Sequence, residues 1–196
     1  MISIVPRGSS SQLMFILAPI FAIFLTLFCG AIIFAFMGYN PFEALKIFFI
    51  SPISNAYGLS ELLVKATPLA LIAVGLSFCF KNNIYNIGAE GQLTMGAIFG
   101  GGVGILFHDV NSFLILPMMI IAGGIGGALW ASIPALLKIK FNTNEILTSL
   151  MLAYIALLIL DYLVVGPWRD PDGFNFPKTR SFGESGRMPI LFDGLR

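Results

Sequence analysis

Residues 81–96 read KNNIYNIGAEGQLTMG, a run of polar and glycine residues set between two hydrophobic stretches, 59–80 and 93–107. In a chain this apolar, such a segment is either a short loop at a membrane surface or a break that enters the membrane beside protein and water. Lipid offers no partner to an open backbone N–H or C=O. We take the second reading, and the rest of the chain is read outward from this break.

The bilayer is the expected solvent. Hydrophobic residues make up 57% and charged residues 11% of the chain, and the mean hydropathy is +0.90. That leaves too little polar surface to clothe a water-soluble globule. A net charge of +1 with no basic stripe excludes nucleic acid as a partner. Cys29 and Cys79 both fall inside apolar runs, where they read as small buried hydrophobes. Two isolated thiols supply neither a disulfide framework nor a metal shell, so no metal and no cofactor are expected.

On either side of the break the chain offers five apolar stretches that meet or approach the ~20 residues a membrane helix needs. They cover residues 13–37, 59–80, 92–107, 112–137 and 146–166. The third is short, and it spans only if its helix begins within residues 88–92 or if it lies in a thinned or re-entrant position. Between the first two stretches, residues 38–58 carry Pro41 and Pro52 around Phe42, Leu45, Phe48 and Phe49, with Glu43 and Lys46. This reads as a short interfacial helix, the alternative being a plain hairpin loop. The fold class is therefore an all-α membrane protein of about five transmembrane helices, one of them short or broken after a polar, glycine-rich segment. The first stretch is too long for a signal-peptide core and lacks a cleavage site, and Thr26, Leu27 and Phe28 before Cys29 make no lipoprotein box. It reads as a retained anchor.

Lysines set the orientation. With the N-terminus inside, Arg7, Lys81, Lys138 and Lys140 are cytoplasmic and Lys46 is outside, although the basic tail after Gly166 then also lies outside. This divides the chain into a cytoplasmic N-terminus (1–12), a membrane region (13–166) and an extracytoplasmic tail or incomplete loop (167–196).

Polar and small residues inside the apolar runs are the candidate functional positions. Gly96, Gly100 and Gly104 repeat every four residues, as do Gly123 and Gly127 with Ala131, so each set lies on one helical face and permits close helix packing. Glu61 and Lys65 stand four apart in the order that favours an ion pair, and Pro68 predicts a kink just beyond. Asp161, Tyr162 and Trp168 fit an interfacial belt, whereas Tyr154 is the better candidate to face a polar cavity. His108 is assigned to solvent. Asn142, Thr143 or Asn144 caps the fifth helix, with Glu145 in its first turn. The pattern GxxxxGK[ST] is absent, as are HExxH and GxSxG, so neither ATP hydrolysis nor another hydrolysis is expected of this chain.

Three stretches together resemble one family. KATPLAL at 65–71, NIGAEGQLTMGA at 86–97, and residues 143–177 from TNEILTSLMLAYIALL to GPWRDPDGFNFP are similar in order and spacing to membrane permease subunits of bacterial ABC importers for branched-chain amino acids, ribose and nucleosides, in the nucleoside and simple-sugar branch. The resemblance implies a plasma-membrane subunit that pairs with a second permease, with cytoplasmic ATP-binding subunits and with an extracytoplasmic substrate-binding protein. It also implies that the break lies near the translocation pathway. Asn86, Gly88, Glu90 and Gln92, with Tyr154, are then the pathway candidates, and Asn86, Glu90 and Gln92 offer hydrogen bonds to an uncharged, hydroxylated cargo. A glycine hinge that merely interrupts the helix is the competing reading of the same residues. Ala153 departs from the asparagine common before the tyrosine of the fifth helix in this family, which puts a cargo role for that turn in doubt. Family chains also continue through further helices, so the sequence reads as an N-terminal portion that does not transport alone. The alternative functions are a membrane structural or assembly subunit, or a non-functional permease fragment.

Overall fold

The computed structural model describes residues 12–174 and 176–190. Among these are six α-helices: α1 (Gln12–Phe36), α2 (Pro41–Phe49), α3 (Ala56–Lys81), α4 (Ala89–Leu106), α5 (Ile115–Phe141) and α6 (Glu145–Val165). Single 3₁₀ turns lie at Ser51–Ile53 and Glu184–Gly186. No strand occurs among the described residues, only an isolated antiparallel bridge between Arg169 and Thr179. Four helices, α1, α3, α5 and α6, are long and apolar enough to cross a membrane. The 18-residue α4 is the short third stretch, and it starts at Ala89, inside the polar segment and three residues before the expected Gln92. At 1.5 Å per residue its length is about 27 Å, close to the ~30 Å hydrocarbon thickness. The expected cytoplasmic N-terminus, 1–12, lies outside the described residues except for Gln12.

The chain divides into two compact units, the first reaching Ala66 within α3 and the second beginning at Thr67. In the first, α1 ends in a Schellman turn: the Tyr39 N–H donates to the Phe34 carbonyl and the Gly38 N–H to the Ala35 carbonyl, each at 3.0 Å. Gly38 takes the left-handed conformation this requires, with φ of 82°. Asn40 then caps α2 by accepting the Phe42 N–H at 3.0 Å, with Pro41 at the first helical position. The expected short helix after the first span is thus present, and it packs along the middle of α1. Phe42, Leu45 and Phe49 share an apolar groove with Ala22, Ile23 and Leu27.

In the second unit α4 is central, with α5 on one side and α6 on another. Helices in lipid gain no hydrophobic drive from meeting each other, so they associate through close packing. The α4–α5 crossing shows how the sequence permits it. A Cβ on Gly96 would stand 3.0 Å from the Gly123 carbonyl oxygen, and one on Gly123 would stand 3.2 Å from that of Gly96. One turn on, a Cβ at Gly100 would meet the Met119 carbonyl oxygen at 2.8 Å. Next to this crossing Met95, Ile98 and Ala156 form a small core, with Trp130, Leu160 and Trp168 packed against it. The Trp130 indole N–H donates to the Leu152 carbonyl at 3.2 Å, tying α5 to α6. Most other large side chains are exposed, as expected where lipid is the solvent: Phe15 is 84% and Phe36 88% exposed.

The tail beyond α6 has a defined place in this unit. Trp168 covers Gly102, and Phe182 covers Gly101 and Gly104. Ser185 donates to the Asn111 side chain at 3.4 Å and accepts the Ser112 N–H at 3.2 Å. Gly183 lies directly on the carbonyl of His108, and the His108 ring is only 24% exposed. The solvent position expected for His108 is therefore corrected, because the tail folds over the end of α4.

Gly100→Ala and Gly124→Ala should move stability in opposite directions. Gly124 has nothing within 4 Å of its would-be Cβ, so alanine there should gain ~0.5–1 kcal/mol of helix propensity. At Gly100 the added methyl should force the two helices apart and cost ~1–3 kcal/mol. Thermal unfolding of the detergent-purified protein checks both signs.

Candidate functional site

The break between α3 and α4 is built by a turn that closes α3, an asparagine-held turn before α4 and a long-range tie between them. Helix α3 ends in a second Schellman turn, with the Ile84 N–H donating to the Cys79 carbonyl and the Asn83 N–H to the Phe80 carbonyl, each at 3.0 Å. Asn83 occupies the left-handed position with φ of 57°, a conformation asparagine tolerates better than most non-glycine residues. The next five residues, 84–88, follow no helix. Here the Asn86 side chain works in two directions. Its Oδ1 accepts the Gly88 N–H at 2.9 Å, and its Nδ2 donates to Gln92 Oε1 at 3.2 Å. The Gln92 N–H closes the first α4 turn on the Gly88 carbonyl at 3.1 Å.

Helix α6 holds the middle of the break. The Ile87 N–H donates to Ser149 Oγ at 3.2 Å, and Ser149 Oγ in turn donates to the Ile146 carbonyl at 3.2 Å. Gly88 lies against Ser149 so closely that a Cβ would come within 2.5 Å of the Ser149 carbonyl oxygen. One turn along, a Cβ at Gly91 would come within 2.5 Å of Ala153 Cα. The glycines of the sequence NIGAEG thus admit the α6 backbone. Ala153, the position where the family pattern has asparagine, is only 6% exposed and forms the floor on which α4 starts.

The turn between α5 and α6 lies beside the same end of the unit. Asn142 is the left-handed cap that ends α5, with φ of 50°. Asn144 is the residue that caps α6, accepting the Ile146 N–H at 2.9 Å. Lys138 and Glu145 pair across this turn at 2.7 Å, and this bond is the main cause that holds the Glu145 carboxyl below its ordinary pKa. The three capping alternatives read in the sequence resolve because two asparagines serve two different helices.

Of the sequence candidates, Asn86, Gly88 and Gln92 are joined in one hydrogen-bonded turn. Glu90 stands in the first turn of α4 on an exposed face with Leu93 and Ala97, the face turned to neither α5 nor α6. Its position suits the positive end of the helix dipole. Tyr154 follows Ala153 in α6 and is 60% exposed. Gly104 meets Met119 and Phe182, so the last glycine of the α4 ladder faces the tail as well as α5. Ser149 was not singled out in the sequence. Its one signal there is the small-residue register it shares with Ala153 four positions on.

The model of the family described as branched-chain amino acid transport system, permease component, matches residues 58–195. The glucose ABC transporter permease protein TsgB13 of Haloferax volcanii is 35% identical over 173 residues, covering 88% of this chain and 45% of its own length. The guanosine ABC transporter permease protein NupP of Bacillus subtilis is 32% identical over 182 residues, covering 92% of this chain and 51% of its own length. The nucleoside ABC transporter permease protein NupB of Lactococcus lactis is 33% identical over 149 residues, covering 76% and 41%. This chain therefore spans about half the length of the curated relatives it matches. No solved structure matches it.

Gly88→Ala should separate the turn from α6. Its methyl has backbone and Cβ atoms of Ser149 within 2.9 Å, so a loss of ~1–3 kcal/mol is expected. The apparent melting temperature in detergent should fall, whereas an unchanged value would show that the turn is free of α6.

Proposed function

This chain belongs to the branched-chain amino acid transport system permease family, and from that premise we propose that it forms part of the translocation pathway of an ATP-driven importer for nucleosides or simple sugars. It is a multi-pass membrane protein whose membrane is the bacterial plasma membrane. It contributes no ATPase site of its own. Energy comes from cytoplasmic ATP-binding subunits, cargo from an extracytoplasmic substrate-binding protein, and the rest of the pathway from a second permease subunit, all within membrane lipid.

The observation that carries this reading is the match to glucose, guanosine and nucleoside permeases across a region that includes the break at residues 82–92. The geometry supports it. A break in backbone hydrogen bonding between apolar spans is tolerated where protein or a water-filled route shelters it, which is how transporters bring polar groups to a cargo. Asn86, Gly88, Glu90 and Gln92 border that route. Asn86 occupies Gln92 Oε1, which leaves the two N–H donors of the Gln92 amide for other partners. Glu90 adds an acceptor on the free face of α4. Donors and an acceptor of this kind suit the hydroxyls of a ribose or hexose ring, and Tyr154 adds a ring surface on α6. With the N-terminus inside, Lys81, Lys138 and Lys140 lie on the cytoplasmic side, in keeping with the positive-inside rule for the short connections, and the basic tail after Gly166 lies outside against it.

Cysteines introduced singly at residues 86, 90 and 92, with Cys29 and Cys79 replaced, test the pathway in the assembled transporter. A polar thiol reagent applied from outside should label them, and saturating nucleoside or sugar should slow that labelling. Uniform protection with and without cargo would mean that the segment only packs.

A further inference from the structure

We infer that Ser149 is a positioning residue for the pathway, a hydroxyl hidden in α6 that holds the polar break in place and through it orients Gln92. Ser149 is 2% exposed and is the one polar residue buried as a whole among the described residues. It lies 62 positions from its partner Ile87 in sequence. Serine in an apolar helix usually satisfies itself on a carbonyl three or four residues back, and Ser149 does so at Ile146. That bond uses its proton and aims its lone pairs at the break, where they take the Ile87 N–H. Between the Schellman turn of α3 and the start of α4, this amide has no helix to join. Without Ser149 it would lose the partner that the structure gives it.

The tie is passed on along a short chain of bonds. Fixing Ile87 fixes both of its neighbours. Asn86 on one side accepts from Gly88 on the other, and its amide then holds Gln92. Gly88 completes the contact by resting on the Ser149 backbone and Cβ. Ser149 itself is covered and touches no cargo. Asn86 is likewise committed to the turn through both Oδ1 and Nδ2, so its amide positions Gln92 and leaves the cargo-facing donors to the Gln92 Nε2 group.

The consequence for transport rests on the permease reading above, whereas the tie itself does not, and the two are tested separately. Amide hydrogen exchange over residues 84–91 is compared in Ser149→Ala, Ser149→Cys and the unaltered protein, in the assembled transporter in lipid nanodiscs. Loss of a hydrogen bond of ordinary strength should speed exchange at Ile87 about threefold to tenfold in Ser149→Ala. The thiol of Ser149→Cys should give an intermediate rate, and exchange at residues 152–160 of α6 should be unchanged. Maximal uptake of radiolabelled nucleoside or sugar should fall with the same ranking at equal amounts of assembled complex.

Unchanged Ile87 exchange in Ser149→Ala would overturn the tie. Faster exchange with unaltered uptake would overturn the positioning role. Uptake absent from the unaltered complex would overturn the permease reading while leaving the exchange result to decide the tie.

Discussion

One constraint governs the second unit of this protein: a backbone that leaves helical geometry inside a lipid-facing structure must find every partner within the protein. Between Lys81 and Ala89 the chain meets it three times over. Asn83 folds the end of α3 back on its own carbonyls, Asn86 accepts the Gly88 N–H, and Ser149 reaches across from α6 for the Ile87 N–H. The glycines follow from this constraint. Ser149 can reach Ile87 only if α6 approaches the break closely, and Gly88 and Gly91 are the residues that allow the approach. The start of α4 is thus set by contacts with α6, and its remaining length by the Gly96–Gly123 crossing with α5.

This arrangement leaves α4 with three distinct faces. One is glycine against α5, and a second carries Gly91, Met95 and Ile98 toward α6 and the small core. The third, beginning at Glu90, is free of both. A helix so fixed on two sides is a rigid support, and rigid support is what a polar turn needs if it is to present side chains in one geometry. At the other end of α4, Trp168 and Phe182 of the tail lie over Gly102 and Gly104, so the helix is gripped at both termini.

Much of this could be read from the sequence, for reasons that differ by element. The long spans show because twenty apolar residues have no other solvent. The break shows because its polarity is out of place between such runs, and the α4 and α5 glycines show because their spacing repeats on one face. What the sequence could not show depends on contacts distant along the chain. Ser149 looks like any self-satisfied serine of a membrane helix until α6 is laid beside Ile87. The choice between Asn142 and Asn144 depends on where α5 stops. The place of the tail rests on Phe182 meeting α4 and Gly183 meeting His108 just beyond it, and no periodicity in residues 166–190 announces it, which is why His108 reads as solvent-facing from sequence alone. Pro68 lies within the continuous helix α3.

The account depends most on the break being sheltered from acyl chains yet in reach of water. A nitroxide side chain at residue 87, where Ile87 is half-exposed, reports both when the protein is reconstituted in bilayers. Collision rates with oxygen, which concentrates in lipid, and with a polar nickel chelate measure the two environments. The account predicts low oxygen access with measurable but restricted chelate access. High oxygen access without the chelate would place the break against lipid, and chelate access equal to that of a free loop would place it in bulk water. Either result would contradict the account.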